Sequence, residues 1–210
     1  MPDFDSHCVA CPRLASHLAK VRDMYPTYYA RPVPPFGDPK ARLIVIGLAP
    51  GMHGANRSGR PFTGDHAGIL LYETLYRHGF TDKPVSKHVR DGLKLKNCRI
   101  TNAVKCLPPA NKPLPAEIAT CNLYLATELS KLAPGSVLLA LGTVAHEAAL
   151  KAFMLKKKDY KFAHGAQHKL PNGLHLLDSY HCSRYNTQTK RLTAEMFDKV
   201  VRKAKGLLAG

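Results

Sequence analysis

The sequence predicts a single-domain α/β fold built on a parallel sheet. Short apolar runs alternate along the chain with segments of helical periodicity, which is typical of βαβ units. The length of 210 residues suits one domain with a core of its own. Four of the apolar runs are predicted to be buried strands of a central four-stranded parallel sheet, at residues 43–46, 99–104, 137–141 and 174–177.

Helical segments follow these strands in order. Residues 68–80 predict a helix that ends at Gly79, and residues 114–132 predict a second helix that starts at Pro115. Thr143 is predicted to cap the helix after the third strand. The tail, residues 192–208, predicts a basic amphipathic helix.

Two stretches are predicted to be irregular. Residues 25–41 contain too many prolines for regular structure and are expected to wrap around a sheet edge. Residues 155–169, LKKKDYKFAHGAQHK, form a basic insertion before the last strand.

The charge of the chain is strongly positive. Thirty-one Lys and Arg residues against fifteen Asp and Glu give a net charge of +16. The charge has two interpretations. In one, lysine simply keeps the surface soluble; in the other, the protein binds a polyanion such as a nucleic acid, and the release of condensed counterions strengthens the binding. No apolar segment accompanies the charge, so an anionic membrane is not the expected partner. The N-terminus shows no signal-peptide pattern, and we expect a protein of the cytoplasm.

Six cysteines occur in a chain that we expect to stay in a reducing compartment, where disulfides are rare. Cys8 and Cys11 form a CxxC pair, and Cys106 and Cys121 bring the set to four. Four thiolates suit tetrahedral zinc or a 4Fe-4S cluster, and spacing alone leaves both open. Scattered buried thiols are the alternative, but they explain the paired motif poorly.

The most informative loop is residues 47–68, GLAPGMHGANRSGRPFTGDHAG, which directly follows the first predicted strand. It matches neither GxGxxG nor a Walker loop, so nucleotide hydrolysis loses support. Its glycines allow backbone N–H groups to approach a planar or anionic ligand. Phe62 offers a stacking face or is an ordinary core aromatic, and Asp65 is a catalytic carboxylate or a helix N-cap.

Two further segments follow strands and contain polar side chains. Asn102 in TNAV carries a donor and an acceptor that suit a base edge, but it also suits a turn. His181 in SYHCSRYNT is a donor, although a lone histidine is more often structural. Ligands of an open parallel sheet bind outside the carboxyl ends of its strands, so these segments and the glycine-rich loop should converge on one crevice.

Taken together, CVAC, GLAPG, GANRSGRPFTGD, TNAVKC and HCSRYNT resemble the motifs of the uracil-DNA glycosylase superfamily, in its iron–sulfur branch. GLAPG, in place of the GEAPG of family 4, resembles family 5. The resemblance runs in order through nearly the whole chain, so residues 1–210 are expected to be one domain. It implies a three-layer α/β/α fold and a structural 4Fe-4S cluster held by Cys8, Cys11, Cys106 and Cys121.

The resemblance also implies an activity: flipping uracil out of DNA and hydrolysing its bond to the sugar, in base excision repair. The enzyme would be monofunctional, leave an abasic site, and accept other deaminated or damaged bases such as hypoxanthine, xanthine or ethenocytosine. The catalytic residues would be Asp65, Asn102 and His181. Substrate binding would involve Gly47, Leu48, Ala49, Gly51 and Phe62 besides Asn102 and His181, and DNA binding would involve Arg57, Arg60, Ser183, Arg184 and Tyr185.

One position departs from the family pattern. Cys182 replaces the proline of the usual HPSxxN motif, which frees φ and restores a backbone N–H. The expected partner is DNA, and the expected state is a monomer associated with the nucleoid of a prokaryotic cytoplasm. The alternative function is a non-enzymatic iron–sulfur protein that binds single-stranded nucleic acid through its charge and aromatic side chains.

Overall fold

The structure is a computed structural model that describes residues 3–209. Within that range a six-stranded sheet lies between two layers of helices, which confirms the α/β class and its three layers. No helix in this part of the chain combines the length and the apolar character that crossing a bilayer requires. The strands are β1 (Phe36–Gly37), β2 (Leu43–Gly47), β3 (Cys98–Asn102), β4 (Val137–Leu141), β5 (Gln167–Lys169) and β6 (His175–Ser179). The α-helices are α1 (Pro12–Met24), α2 (Ala55–Ser58), α3 (His66–Arg77), α4 (Pro115–Leu129), α5 (Thr143–Ala152), α6 (Arg184–Gln188) and α7 (Ala194–Ala209).

The four predicted strands are confirmed, but the predicted four-stranded parallel sheet is wrong in its extent. The strand order is β1-β3-β2-β4-β6-β5, and only the central four strands are parallel. β1 pairs antiparallel with β3, and β5 pairs antiparallel with β6. These edge strands have two and three residues and contain no apolar run, so they carry no periodic signal. The proline-rich stretch does run along a sheet edge, because β1 lies within it.

The central strands are buried on both faces, as parallel strands usually are. In β2, Leu43 and Val45 belong to the apolar core beneath α3 and α7, whereas Ile44 and Ile46 belong to the core beneath α4 and α5. A third, smaller core lies between α1, α4 and the chain that follows β3. The helices therefore hold the sheet rigid and leave the ends of its strands free to carry a site.

The helix ends agree in part with the sequence predictions. Gly79 has φ of +82° just beyond α3, a conformation that favours glycine. The predicted Thr143 cap is wrong, because the N-cap position of α5 is Gly142, with φ of +96°, and Thr143 is the first helical residue. Pro115 starts α4 as predicted, and the Glu117 carboxylate accepts a hydrogen bond from the Leu114 N–H at 2.7 Å.

Arg60 lies inside the protein, with only 4% of its surface exposed, so its predicted role as a DNA contact is wrong. Its guanidinium donates to both carboxylate oxygens of Asp91, at 3.0 and 2.6 Å. It also donates to Thr63 Oγ1 at 2.9 Å and to Ser86 Oγ at 2.6 Å. These bonds use four of the five guanidinium N–H groups to fasten the glycine-rich loop to residues 86–91, and burial of the side chain keeps it away from a phosphate.

We expect Arg60→Met and Asp91→Asn each to lower the free energy of unfolding by about 3 kcal/mol, because either change leaves a buried polar group without its partner. Burial opposes ionisation of Asp91, but the hydrogen bonds from Arg60 outweigh it and hold the pKa of this carboxyl below its usual range. The stabilisation is therefore present above the unfolded value of about pH 3.9 and is lost as the pH falls further. Urea unfolding at pH 7 and pH 3 measures both effects.

The matched control is Arg57→Ala, because Arg57 lies in the same loop but is exposed. We expect it to change the free energy of unfolding by less than about 0.5 kcal/mol. An equal loss in the Arg57 and Arg60 variants would contradict a structural role for the buried pair.

Candidate active site

A cavity of about 470 Å³ opens at the carboxyl ends of the parallel strands. This is the position at which open α/β sheets bind ligands. The three segments singled out in the sequence converge here, as predicted. Of the predicted site residues, the cavity is lined by Leu48, Ala49, Gly51, Phe62, Asp65, Asn102, His181, Ser183 and Arg184.

Gly47, also predicted to bind substrate, is not among the residues that line this cavity, but it lies directly against two that are, Asn102 and Phe62. It pairs in parallel register with Asn102, and the Ala103 N–H donates to the Gly47 carbonyl at 2.9 Å. A Cβ atom at Gly47 would lie 2.4 Å from Asn102 Oδ1 and 2.7 Å from Phe62 Cζ. Only glycine allows the amide and the aromatic ring to lie this close to the strand.

Phe62 is a core residue, which confirms one interpretation of its sequence position; it also lines the cavity, and its role as a stacking face stays a prediction. Its side chain is buried, and its ring lies 5.8 Å from that of His181 with a tilt of 31°. Its φ of +54° is rare for a residue with a side chain. A Cβ atom on Gly68 would be 1.9 Å from the Phe62 carbonyl oxygen, so the first turn of α3 packs directly against this backbone.

Asp65 is confirmed as a helix N-cap and also lines the cavity, and its catalytic role stays a prediction. It is the N-cap of α3, and its Oδ1 accepts a hydrogen bond from the Gly68 N–H at 2.9 Å. The carboxyl group lines the cavity, and its Oδ2 faces the backbone of Gly54 and Gly51. Burial raises the pKa of Asp65, although the Gly68 N–H opposes this shift. One oxygen thus fixes the side chain while the carboxyl group faces the space where a substrate would lie.

His181 faces the cavity as a neutral imidazole. Burial lowers its pKa to about 4, so the ring carries no proton charge at pH 7. Asn186 Nδ2 donates to the His181 carbonyl at 2.8 Å and holds the backbone of the loop. A neutral ring has one N–H donor. His181 lines the cavity even though its neighbour, the buried Cys182, replaces the proline of the usual motif.

The rim is formed by a short helix that the sequence did not predict. α6 begins at Arg184, and Ser183 Oγ caps it by accepting from the Asn186 N–H at 3.4 Å. Tyr185 projects outward with 70% of its surface exposed, and Arg57 is exposed on α2. Arg184 and Ser183 line the cavity, whereas Arg57 and Tyr185 are not among its lining residues. The DNA contacts of these four residues stay a prediction.

Four residues of the cavity wall were missed in the sequence. Ala55, Ala67, His66 and Asn111 line it. His66 Nε2 and Thr187 Oγ1 lie 3.0 Å apart, which joins the start of α3 to α6. Asn111 has φ of +56° in the loop after β3. The sequence around Asn111, PPANKP, signals only a turn, so it gives no reason to place Asn111 in a site. For His66 the only sequence signal is that it follows Asp65.

The four cysteines of the predicted cluster line a second cavity, of about 90 Å³. Cys8 and Cys11 precede α1, Cys106 follows β3, and Cys121 lies on α4. Burial, together with the neighbouring sulfurs of this set, raises the pKa of the Cys106 thiol to about 12. The Lys105 backbone N–H lies 3.3 Å from Cys121 Sγ and points at it. All four cysteines that the sequence grouped thus line one cavity, and the cluster itself stays a prediction.

The other two cysteines lie elsewhere. Cys98 and Cys182 are fully buried in the core beneath α3 and α7, and burial raises the pKa of both thiols. Such thiols behave as small apolar side chains.

Comparison with known proteins gives consistent matches. The family model of the uracil DNA glycosylase superfamily matches residues 34–205. A type-5 uracil-DNA glycosylase of Thermus thermophilus is 49% identical over 205 residues, covering 95% of this chain and 93% of the relative. One of Pyrobaculum aerophilum is 41% identical over 202 residues, covering 94% and 88%.

Similarity to type-4 proteins is more limited. A type-4 uracil-DNA glycosylase of Archaeoglobus fulgidus is 34% identical over 125 residues, covering 59% of this chain and 55% of the relative. The family 5 resemblance drawn from GLAPG is therefore supported. On the family match and on these identities, the chain belongs to the uracil DNA glycosylase superfamily.

Proposed function

We propose that this protein is a DNA glycosylase that flips uracil out of DNA and hydrolyses the bond between the base and the sugar. The observation that carries the proposal is the convergence of Phe62, Asp65, Asn102 and His181 on one cavity. The relatives named type-5 uracil-DNA glycosylase support it. The net charge of +16 suits a polyanionic substrate.

The cavity would hold the base outside the duplex. A glycosylase cannot reach the glycosidic bond of a stacked nucleotide, so the base is flipped out at a cost of a few kcal/mol. The face of Phe62 would stack on the base, and the Asn102 amide would bind its polar edge through a donor and an acceptor. Gly47 would act indirectly, because its lack of a side chain leaves room for Phe62 and Asn102 to lie side by side.

The leaving base would be stabilised as an anion. Bond cleavage leaves negative charge on the base and positive charge on the sugar. Backbone N–H groups of residues 47–51 and the neutral His181 ring would donate to the base, an effect of the oxyanion-hole type. A neutral ring donates without carrying a charge that would have to be buried. Leu48 offers no polar group at this position, so the backbone and His181 bear this role.

Asp65 would act on the sugar side. Its ionised carboxylate would stabilise the sugar cation or orient the attacking water. Among the described residues, those that line the cavity include no lysine. Lyase chemistry requires an amine that forms a Schiff base with the sugar. We therefore propose hydrolysis alone, with an abasic site as product.

We expect Asp65→Asn, Asn102→Ala and His181→Ala each to slow single-turnover excision of uracil by at least about 100-fold, because each removes a group that acts on the transition state. The measurement is alkaline cleavage of an end-labelled duplex with one uracil. Because His181 is already neutral, the wild-type rate should stay level between about pH 6 and pH 8, and the acid limb should come from protonation of Asp65.

The matched control is Asp23→Asn, which removes an exposed carboxylate on α1. It should excise uracil at the wild-type rate. Wild-type rates in both Asp65→Asn and Asn102→Ala would refute the assignment, as would strand cleavage at the abasic site without alkali. An inflection near pH 6.5 that disappears in His181→Ala would refute the neutral histidine.

The base range is expected to extend beyond uracil. A cavity of about 470 Å³ lies in the range that holds small-molecule ligands larger than a nucleobase. Because Leu48 is apolar, it supplies no polar group that recognises uracil. Cleavage would therefore depend mainly on how well the site stabilises the leaving base.

We expect excision of hypoxanthine, xanthine and ethenocytosine within about 100-fold of the uracil rate, since one lost contact is worth about 1–3 kcal/mol. Parallel single-turnover assays on four duplexes that differ only at the lesion measure this. Activity confined to uracil would show that the cavity selects its base.

A non-enzymatic binder of single-stranded nucleic acid is the competing function. It would use the same charge and the aromatic side chains. Such a protein has no need of a partly buried carboxylate and a neutral histidine in the same cavity. Binding of the uracil duplex without any abasic product would favour it.

We propose in addition that Cys8, Cys11, Cys106 and Cys121 hold a 4Fe-4S cluster. Four free cysteines around one cavity fit the ligand set of such a cluster, and the Lys105 N–H aimed at Cys121 suits a thiolate ligand. The cluster would be structural: α1 would be fastened to α4 and to the loop after β3. This loop carries Asn111 into the candidate active site.

We expect the purified protein to be brown, with broad absorption near about 400 nm and four irons per chain. Cys121→Ser should lose the iron and part of the stability, because α1 loses its tie. Cys98→Ser, which lies outside the set, should keep the iron. One zinc per chain in place of iron, lost in Cys121→Ser, would contradict the iron–sulfur assignment and favour the zinc alternative.

A further inference from the structure

A second group of metal-ligating side chains lies on the opposite face of the sheet from α3, away from the candidate active site. It consists of His146 on α5, His168 on β5 and Asp178 on β6. One ligand atom from each lies within 4.8 Å of the other two. None of the three lines the candidate active site.

The hydrogen bonds of His146 leave one ring nitrogen directed into this group. His146 Nε2 donates to the Tyr160 carbonyl at 2.9 Å, and His146 Nδ1 lies 2.8 Å from Asp178 Oδ1. A histidine that binds a metal through one nitrogen typically donates from the other to a carbonyl or carboxylate. The Tyr160 contact therefore fixes the ring in the orientation of a metal ligand.

The other two members have polar atoms without partners. His168 Nε2 and Asp178 Oδ2 are buried and have no hydrogen-bond partner within the described chain. They lie 3.6 Å apart, which is beyond hydrogen-bond distance. Buried polar atoms are rarely left unpaired, so the pair calls for a group that bridges it.

The spacing suits a divalent cation. Ligand atoms about 2.0–2.2 Å from a tetrahedral zinc ion lie about 3.4 Å from each other. The separation between His168 Nε2 and Asp178 Oδ2 is close to that distance. Two imidazoles and one carboxylate are a donor set of the zinc type, with water as fourth ligand.

We propose that His146, His168 and Asp178 form a binding site for a zinc-type divalent cation. The ion would join β5, β6 and α5, and through Tyr160 and His168 it would hold the basic segment 155–169 at two points. The site would be structural, because it is enclosed by the fold rather than open to a substrate. Asp178 lies on β6 just before the loop that carries His181, so the ion would also hold the base of that loop.

Zinc titration of the full-length protein, stripped with EDTA, tests the proposal. By calorimetry, wild type should bind one more zinc ion per chain than His168→Gln. The matched control is His175→Gln, which removes a histidine of β6 that also has a buried ring nitrogen without a partner but lies outside the group. It should bind as many ions as wild type. The cysteines are the same in all three proteins, so any zinc they bind cancels in the comparison.

Two further measurements do not depend on counting ions. Saturating zinc should raise Tm by about 5 °C in wild type and His175→Gln, but not in His168→Gln, because an ion that binds only the folded state stabilises it. X-ray absorption at the zinc edge should find nitrogen and oxygen neighbours for the additional ion in wild type.

Three results would overturn the proposal. Equal zinc stoichiometry in wild type and His168→Gln would leave only a hydrogen-bonded ion pair, in which His146 is protonated and faces Asp178. Zinc with sulfur neighbours alone would place the metal at the cysteines. An equal rise of Tm in His168→Gln and wild type would exclude the group as the source of the stabilisation.

Discussion

The candidate active site depends on the absence of a side chain at Gly47. At the end of β2 this residue lies beside Asn102 and under the ring of Phe62, so close that a single added carbon would clash with both. The parallel register of β2 and β3 fixes the first of these neighbours, and the packing of α3 against the Phe62 backbone fixes the second. A planar base could bind between an aromatic face and an amide only because the strand itself occupies so little space there.

Burial gives the site its chemistry. The same low-dielectric surroundings raise the pKa of Asp65 and lower that of His181, because each charged form loses its hydration. In the proposed reaction the neutral histidine would donate to a developing anion. Asp65, the N-cap of α3, is the one acidic residue among the described residues that line the cavity, and it would act on the sugar side. This division suits a reaction in which opposite charges develop on the base and on the sugar.

The loops around the site are held by polar ties rather than by apolar packing. Arg60 and Asp91 fasten the glycine-rich loop from below, since a loop with six glycines offers few side chains to bury. The His146 ring on α5 contacts both the Tyr160 carbonyl of the basic segment and Asp178 on β6, and these polar contacts hold that segment. Each of these polar contacts holds a segment whose position apolar packing alone does not fix. A buried ion pair is costly to break, so it fixes loop position better than surface charges could.

The sequence by itself determined the α/β class, the four central strands, the grouping of four cysteines, and the convergence of Phe62, Asp65, Asn102 and His181. The class, the strands and the convergence follow from apolar periodicity and from the rule that parallel strands place their carboxyl ends together, whereas the cysteine grouping follows from the CxxC pair. Only the tertiary structure decided that Arg60 is an internal anchor, that β1 and β5 extend the sheet, and that Asp65 is cap and cavity residue at once. The physical reason is that burial, pairing and close approach are properties of neighbours distant in the chain. An arginine in a loop carries the same sequence signal whether its partner is a phosphate or Asp91.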